Sequence, residues 1–186
     1  QAIALGQTNA AAQLLDQLSG VAGADPGMLL SVAEGYLRVH NIPKSAQAMA
    51  RVAQIQQPIS PEQAKAAEQI LDQLLNAPEA DAGLMMSVAN GYLHLHNLAK
   101  SEQAVVRLTK LQPDSAQPWY NLAAIQSYRG GVAEAVTSLK KSLELNAVEI
   151  AKDPKAVNLR EHLFQDPTFG SLRQTPAFQA AFGSKP

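Results

Sequence analysis

Residues 11–56, AAQLLDQLSGVAGADPGMLLSVAEGYLRVHNIPKSAQAMARVAQIQ, align without a gap on residues 67–112, AEQILDQLLNAPEADAGLMMSVANGYLHLHNLAKSEQAVVRLTKLQ. The offset is 56 throughout, and 23 of the 46 positions are identical, well above chance. The chain carries an internal duplication. Self-similarity at a fixed period is the mark of a repeat architecture, in which each unit buries its apolar face against a neighbour.

The duplication also decides how one suggestive motif is read. In GYLHLHN (Gly91–Asn97), His94 and His96 stand two apart, a spacing that suggests a metal pair. The other copy reads GYLRVHN (Gly35–Asn41), so His40 matches His96 but Arg38 faces His94. A metal pair would lose one ligand there, and on a helix residues two apart point about 200° away from one another. Both copies share His-Asn at the end of a helical stretch. Histidine suits the negative end of the helix dipole, and asparagine tolerates the left-handed conformation that closes a helix. The motif predicts a helix stop and no metal.

Each copy reads as three helices. In SPEQAKAAEQILDQLLN, Ser60 is an N-cap, Pro61 takes the first helical position, and Gln63 completes a capping box. Ala67, Ile70, Leu71, Leu74 and Leu75 then make one apolar face. The breaks NAPEADAG and GADPG precede the middle helices, with Asp25-Pro26 opening the one in the first copy. Residues 116–146 add a further pair, the first stopped by Gly130-Gly131 and the second ending at Asn146. Eight main helices are expected through residue 146, and no run alternates as a strand would. In the tail, Asp166-Pro167 and Thr175-Pro176 each look like a cap followed by a first-turn proline. All four phenylalanines, Phe164, Phe169, Phe178 and Phe182, fall there. They are expected to fold over the open edge of the preceding helix pair as a cap, an aromatic ligand pocket being the alternative.

Composition narrows the function. The 186 residues are 46% hydrophobic but only 5% aromatic, enough for a buried interior and biased towards helix. A formal charge of −1 argues against a nucleic-acid or anionic-membrane binder, which needs a basic field. With no cysteine, disulfides and thiolate metal sites are excluded, although no compartment is chosen: cytoplasmic and extracytoplasmic settings both stand. No apolar run approaches the roughly 18 residues of a membrane span. Because the first residue is Gln1, the chain reads as a mature product or an excised fragment, with room for a signal or anchor before it.

No catalytic signature emerges. His162, beside Arg160 and Glu161, is expected on a solvated helix face, and Glu144, Glu149 and Asp153 read as ordinary surface carboxylates. GVAGADPG has glycines but lacks the lysine and the strand-to-helix setting of a phosphate loop. No cofactor is implied.

Trp119, Leu122 and Ala123 followed by Ala135 and Leu139 resemble the tetratricopeptide repeat. Met85, Val88, Ala89, Tyr92, Ser101, Val105 and Pro113 repeat the pattern 34 residues earlier, and Leu29, Val32, Ala33, Tyr36, Ser45 and Met49 repeat it 56 before that. The matched repeats cover about residues 26–58, 82–114 and 116–148, with extra helices at about 3–20 and 60–76 and a capping segment at 149–186. The closing DPTFGSLRQTPAF also looks like the ending of many bacterial proteins of this family. Ser45 and Ser101 replace the usual alanine, Gln126 the tyrosine and Ala147 the final proline. The spacing of 56 leaves an extra helix between the first two repeats, so the unit has either two helices plus an insertion or three.

The resemblance implies an all-α fold, a right-handed superhelix of helical hairpins with a short C-terminal cap. It implies ligand-facing positions at Met86, Ser87, Asn90 and His94 in one repeat and at Gln117, Tyr120, Asn121 and Tyr128 in the next. Family members that hold acidic C-termini place lysine or arginine at such positions. Met86 and Gln117 stand there instead, which favours a neutral extended or helical segment. The expected function is a non-catalytic protein-interaction module binding a peptide or partner protein, with homo-oligomerisation open. The alternative is an accessory C-terminal region of a larger enzyme or membrane protein that positions a substrate or subunit.

Overall fold

The computed structural model describes residues 2–21, 23–55 and 58–183, with side chains from Asn9 onward. The last two residues but one of the 26–58 repeat (56 and 57) and the end of the tail (184–186) lie outside the described residues. All regular structure among the described residues is helical: α1 (Ala2–Ser19), α2 (Pro26–Arg38), α3 (Ile42–Gln54), α4 (Pro61–Leu75), α5 (Ala82–His94), α6 (Leu98–Leu111), α7 (Ala116–Tyr128) and α8 (Val132–Lys152). Three short helices follow, α9 (Leu159–Gln165), α10 (Gly170–Arg173) and α11 (Pro176–Phe182), with a 3-10 turn at Pro167–Phe169. None of these helices is long and apolar enough to cross a membrane. The chain divides into two compact units, Gln1–Asn97 and Leu98–Pro186.

In the first unit the helix starts follow the local chemistry. Asp25 accepts from the Met28 N–H, Asp81 from the Leu84 N–H, and Ser60 and Gln63 form the reciprocal capping box. The helix stops correct one expectation. His40 and His96, at φ 54° and 55°, occupy the left-handed position, not the asparagines. His40 N–H then donates to Leu37 O at 3.0 Å and Asn41 N–H to Tyr36 O at 2.8 Å, and His96 N–H donates to Leu93 O at 2.9 Å and Asn97 N–H to Tyr92 O at 2.8 Å. This is the double bond pattern of a Schellman motif, which satisfies carbonyls the helix leaves open. Asn41 has a second task, accepting from the Lys44 N–H to cap α3.

The extra helix repeats its contacts from copy to copy. Tyr36 Oη donates to Asp16 at 2.6 Å, and Tyr92 Oη to Asp72 at 2.6 Å. A Cβ on Gly35 would meet Leu15 Cδ2 at 2.6 Å, and one on Gly91 would meet Leu71 Cδ2 at 2.7 Å. Each glycine therefore lets two helix backbones approach, and α1 bears on α2 as α4 bears on α5. The larger surroundings differ. α2 packs on α1, α3 and α4, whereas α5 packs on α3 and α4 within the unit. The homologous helices α2 and α5 thus have different neighbours, because the duplication moves a helix three places along the chain order, an odd step.

The second unit is built on the α7–α8 hairpin, with α6 against α7. Gly130, at φ 79°, stands 34 residues after His96 and closes α7 the same way, with Gly131 N–H donating to Gln126 O at 2.8 Å. Helix α8 does not end at Asn146 but runs to Lys152. Ala147, in place of the repeat's proline, leaves an N–H and no ring to break the helix. Asn146 is buried and points sideways: its Nδ2 donates to Val157 O and its Oδ1 accepts from Leu159 N–H, pinning the start of the tail. Phe169, Phe178 and Phe182 then join Ala116, Ala123, Ala135 and Leu139 in one apolar core. Phe178 lies edge-on to half-buried Phe164 at 6.0 Å.

Buried polar side chains account for the departures from the repeat pattern. Ser45 donates to Ala33 O at 2.9 Å with no exposed surface, so the hydroxyl replaces an alanine without an unpaired group. Gln126 stands where Tyr36 and Tyr92 stand, and like them donates to a carboxylate of another helix, Glu102 at 3.1 Å. Its Oε1 accepts from Ser138 at 2.7 Å, so both ends of the amide are used.

Candidate functional site

The expected ligand-facing residues fall into one set per unit. On α5, Met86, Asn90 and His94 recur every fourth residue and so form a single stripe, with Ser87 alongside. Asn90 is exposed, while Met86, Ser87 and His94 are half-buried. Ser87 Oγ donates back to Gly83 O at 3.0 Å. Gly83, Leu84 and Ser87 also form one wall of a concavity of about 290 Å³, whose other wall is Ile42, Pro43, Ala46 and Gln47 of α3. Glu79 and Asp81 border it, the latter already engaged as the cap of α5. The groove is thus lined by apolar side chains from both helices, with two acidic residues at its border.

On α7, Gln117, Asn121 and Tyr128 follow the same helical face. Gln117 Nε2 donates to Asn121 Oδ1 at 2.9 Å, holding the two amides side by side. Tyr128 is 64% exposed, an aromatic surface with a polar tip. Tyr120 is placed differently. It is buried, its ring lies edge-on to Phe169 at 5.1 Å, and its hydroxyl donates to Asp166 and meets His162 Nδ1, both at 3.1 Å. Ring and hydroxyl are both consumed in seating the tail, so Tyr120 leaves the set of surface contacts.

That cluster was not legible in the sequence. His162 is on an exposed face of α9, yet its Nδ1 reaches a buried tyrosine 42 residues earlier. Burial and the adjacent Asp166 push the Tyr120 hydroxyl well above its ordinary range, so it stays a neutral donor. For Asp166, burial pulls the carboxyl upward, but bonds from Thr168 and Tyr120 outweigh it and hold the group ionised. Arg173 ties the same turn by donating to the Leu163 and Asp166 carbonyls. Glu149, expected as plain surface, accepts from the Ala116 N–H at 2.9 Å and from Asn146. It caps α7, whose own Ser115 makes no side-chain cap bond. No local pattern announces such partners, because they lie on other elements.

In the first unit, Asp16 accepts from Tyr36 and forms an ion pair with Lys44 at 2.5 Å. Lys44, then Tyr36, holds the Asp16 carboxyl below its ordinary value. Burial, then Asp72, pushes the Tyr92 hydroxyl up. These groups sit at helix–helix contacts, where each tyrosine hydroxyl donates to a carboxylate of the neighbouring helix. Among the described residues no three histidine or carboxylate side chains are grouped to hold a metal ion. Neither a protein-family model nor a curated protein matches the chain.

Proposed function

We propose that the chain is a non-catalytic protein-interaction module of the tetratricopeptide kind, a right-handed superhelix of helical hairpins that binds a peptide or partner protein along its inner helices. The observation that carries the reading is the α3–α5 groove. It sets Gly83, Leu84 and Ser87 of α5 against Ile42, Pro43 and Ala46 of α3, and its volume of about 290 Å³ suits one or two peptide side chains. Asn90, exposed and nearly one turn after Ser87 on α5, offers a donor and an acceptor to an extended backbone. On α7, exposed Tyr128 and the Gln117–Asn121 pair supply flat contact area and amide groups without a charged clamp. Rigid helices bind with little reorganisation, which keeps the entropic cost of association low.

The test is an affinity capture with the wild-type chain and with Ser87→Arg, Asn90→Ala and Tyr128→Ala. A filled groove or a lost contact is expected to reduce recovery of a bound protein roughly tenfold or more, the worth of one good interface residue. Recovery of every captured protein at wild-type level by all three variants would sink the reading.

A further inference from the structure

The duplication provides an internal control for what each helix face does. Leu14, Leu18 and Val21 of the first copy correspond, at the offset of 56, to Ile70, Leu74 and Ala77 of the second. The second set is buried, at 4%, 0% and 5% exposure, whereas the first is 61%, 44% and 42% exposed. Apolar residues on matched helices, or just past their ends, thus have opposite surroundings. What differs is the neighbour: α4 packs on α2 and α3 as well as on α5, whereas among the described residues α1 packs closely on α2 alone. The surface next to α2 is copied too, since Ala10, Gln13 and Gln17 repeat Ala66, Gln69 and Gln73.

Charge sharpens the identity of the occupant. Between Gln1 and Ala24 the only charged residue is Asp16, and it is tied to Tyr36 and Lys44 on the side facing α2 and α3. The outward stripe Ala10–Leu14–Leu18–Val21 is therefore apolar and flanked by neutral amides. It offers nothing to an acidic or basic ligand. In the second copy the matching surface receives the Gly27, Leu30, Ser31 and Glu34 side of α2. Gly27 permits close approach, with Gln63 Nε2 of α4 3.1 Å from where its Cβ would be.

We propose that the outward face of α1 is a docking surface for a partner segment of helical-hairpin type, whose first helix presents a small–aliphatic–small–acidic stripe like that of α2. The face uses none of the α5 or α7 residues above, so it stands or falls separately from the groove.

The experiment grafts residues 24–56 of this chain directly ahead of Gln1, which reproduces the register that joins the first copy to the second. Leu14→Lys is made in the chain as it is and in the grafted chain. In the chain as it is, Leu14 is solvent-exposed, and the substitution is expected to leave the melting temperature within about 1 °C, as surface changes do. In the grafted chain it is expected to lower the melting temperature by roughly 5 °C or more, because a charge is then placed in a buried contact. Amides of the grafted hairpin are expected to exchange as slowly as those of α2 and α3. Equal effects of Leu14→Lys in both chains, or a grafted hairpin whose amides exchange freely, would overturn the proposal. So would sedimentation in which the ungrafted chain dimerises and Leu14→Lys abolishes the dimer, since the occupant would then be a second copy.

Discussion

His40 and His96 each hold a backbone conformation that costs an L-residue roughly 1–2 kcal/mol, yet the second Schellman bond of each motif depends on it. Gly130 meets the same geometric demand without a side chain. His96→Gly is therefore expected to stabilise the first unit by roughly 0.5–1 kcal/mol, the steric gain being offset in part by added freedom in the unfolded chain. Urea titration followed by far-ultraviolet circular dichroism measures it, and no shift or a loss would mean that the imidazole makes a contact worth as much as the strain. His-Asn could be read as a helix stop from sequence because the duplication isolates it. Which of the two residues turns left-handed could not, since both types are tolerated there and only backbone dihedrals distinguish them.

At the scale of elements, the α1–α2 and α4–α5 contacts use the same residues with different latitude. The Cβ of Gly35→Ala would press on Leu15, which is half-buried and has room to change rotamer. That of Gly91→Ala would press on Leu71, which has no exposed surface. Alanine gains roughly 1 kcal/mol of helix propensity over glycine, while overpacking costs typically 1–3 kcal/mol. Gly35→Ala is expected to be near neutral and Gly91→Ala to destabilise by about 1–2 kcal/mol; equal effects in thermal melts would refute the asymmetry. The helices and caps were legible from spacing and cap chemistry: Ser60, Asp25 and Thr175 all act as read. The length of α8 was not, because Asn146 reads as a terminator until its partners Val157 and Leu159 are known.

At the scale of the whole molecule, sequence repeats and compact units do not coincide. The first copy and two helices of the second lie within Gln1–Asn97, while α6 belongs to Leu98–Pro186 with the α7–α8 hairpin and the tail. The tail supplies much of the second unit's core: Leu163, Phe169, Leu172, Phe178 and Phe182 are all buried. Burying each is worth roughly 1.5–3 kcal/mol before chain entropy is counted. A chain ending at Asp153 would expose Tyr120, Val136 and Leu139 and is expected to self-associate and lose cooperative melting of the second unit. Size-exclusion chromatography and calorimetry decide it. A monomeric truncated chain with an unchanged upper transition would show the tail to be dispensable.

By itself the sequence determined the duplication, the helical content and most helix boundaries, because each rests on periodicity or on chemistry within a few residues. Tertiary structure alone decided that Tyr120 is buried against Phe169 while Tyr128 is exposed, and that Leu14 meets solvent while Ile70 does not. Those pairs are chemically alike. Their fates differ because burial depends on which elements lie opposite, and residues distant in the chain supply them.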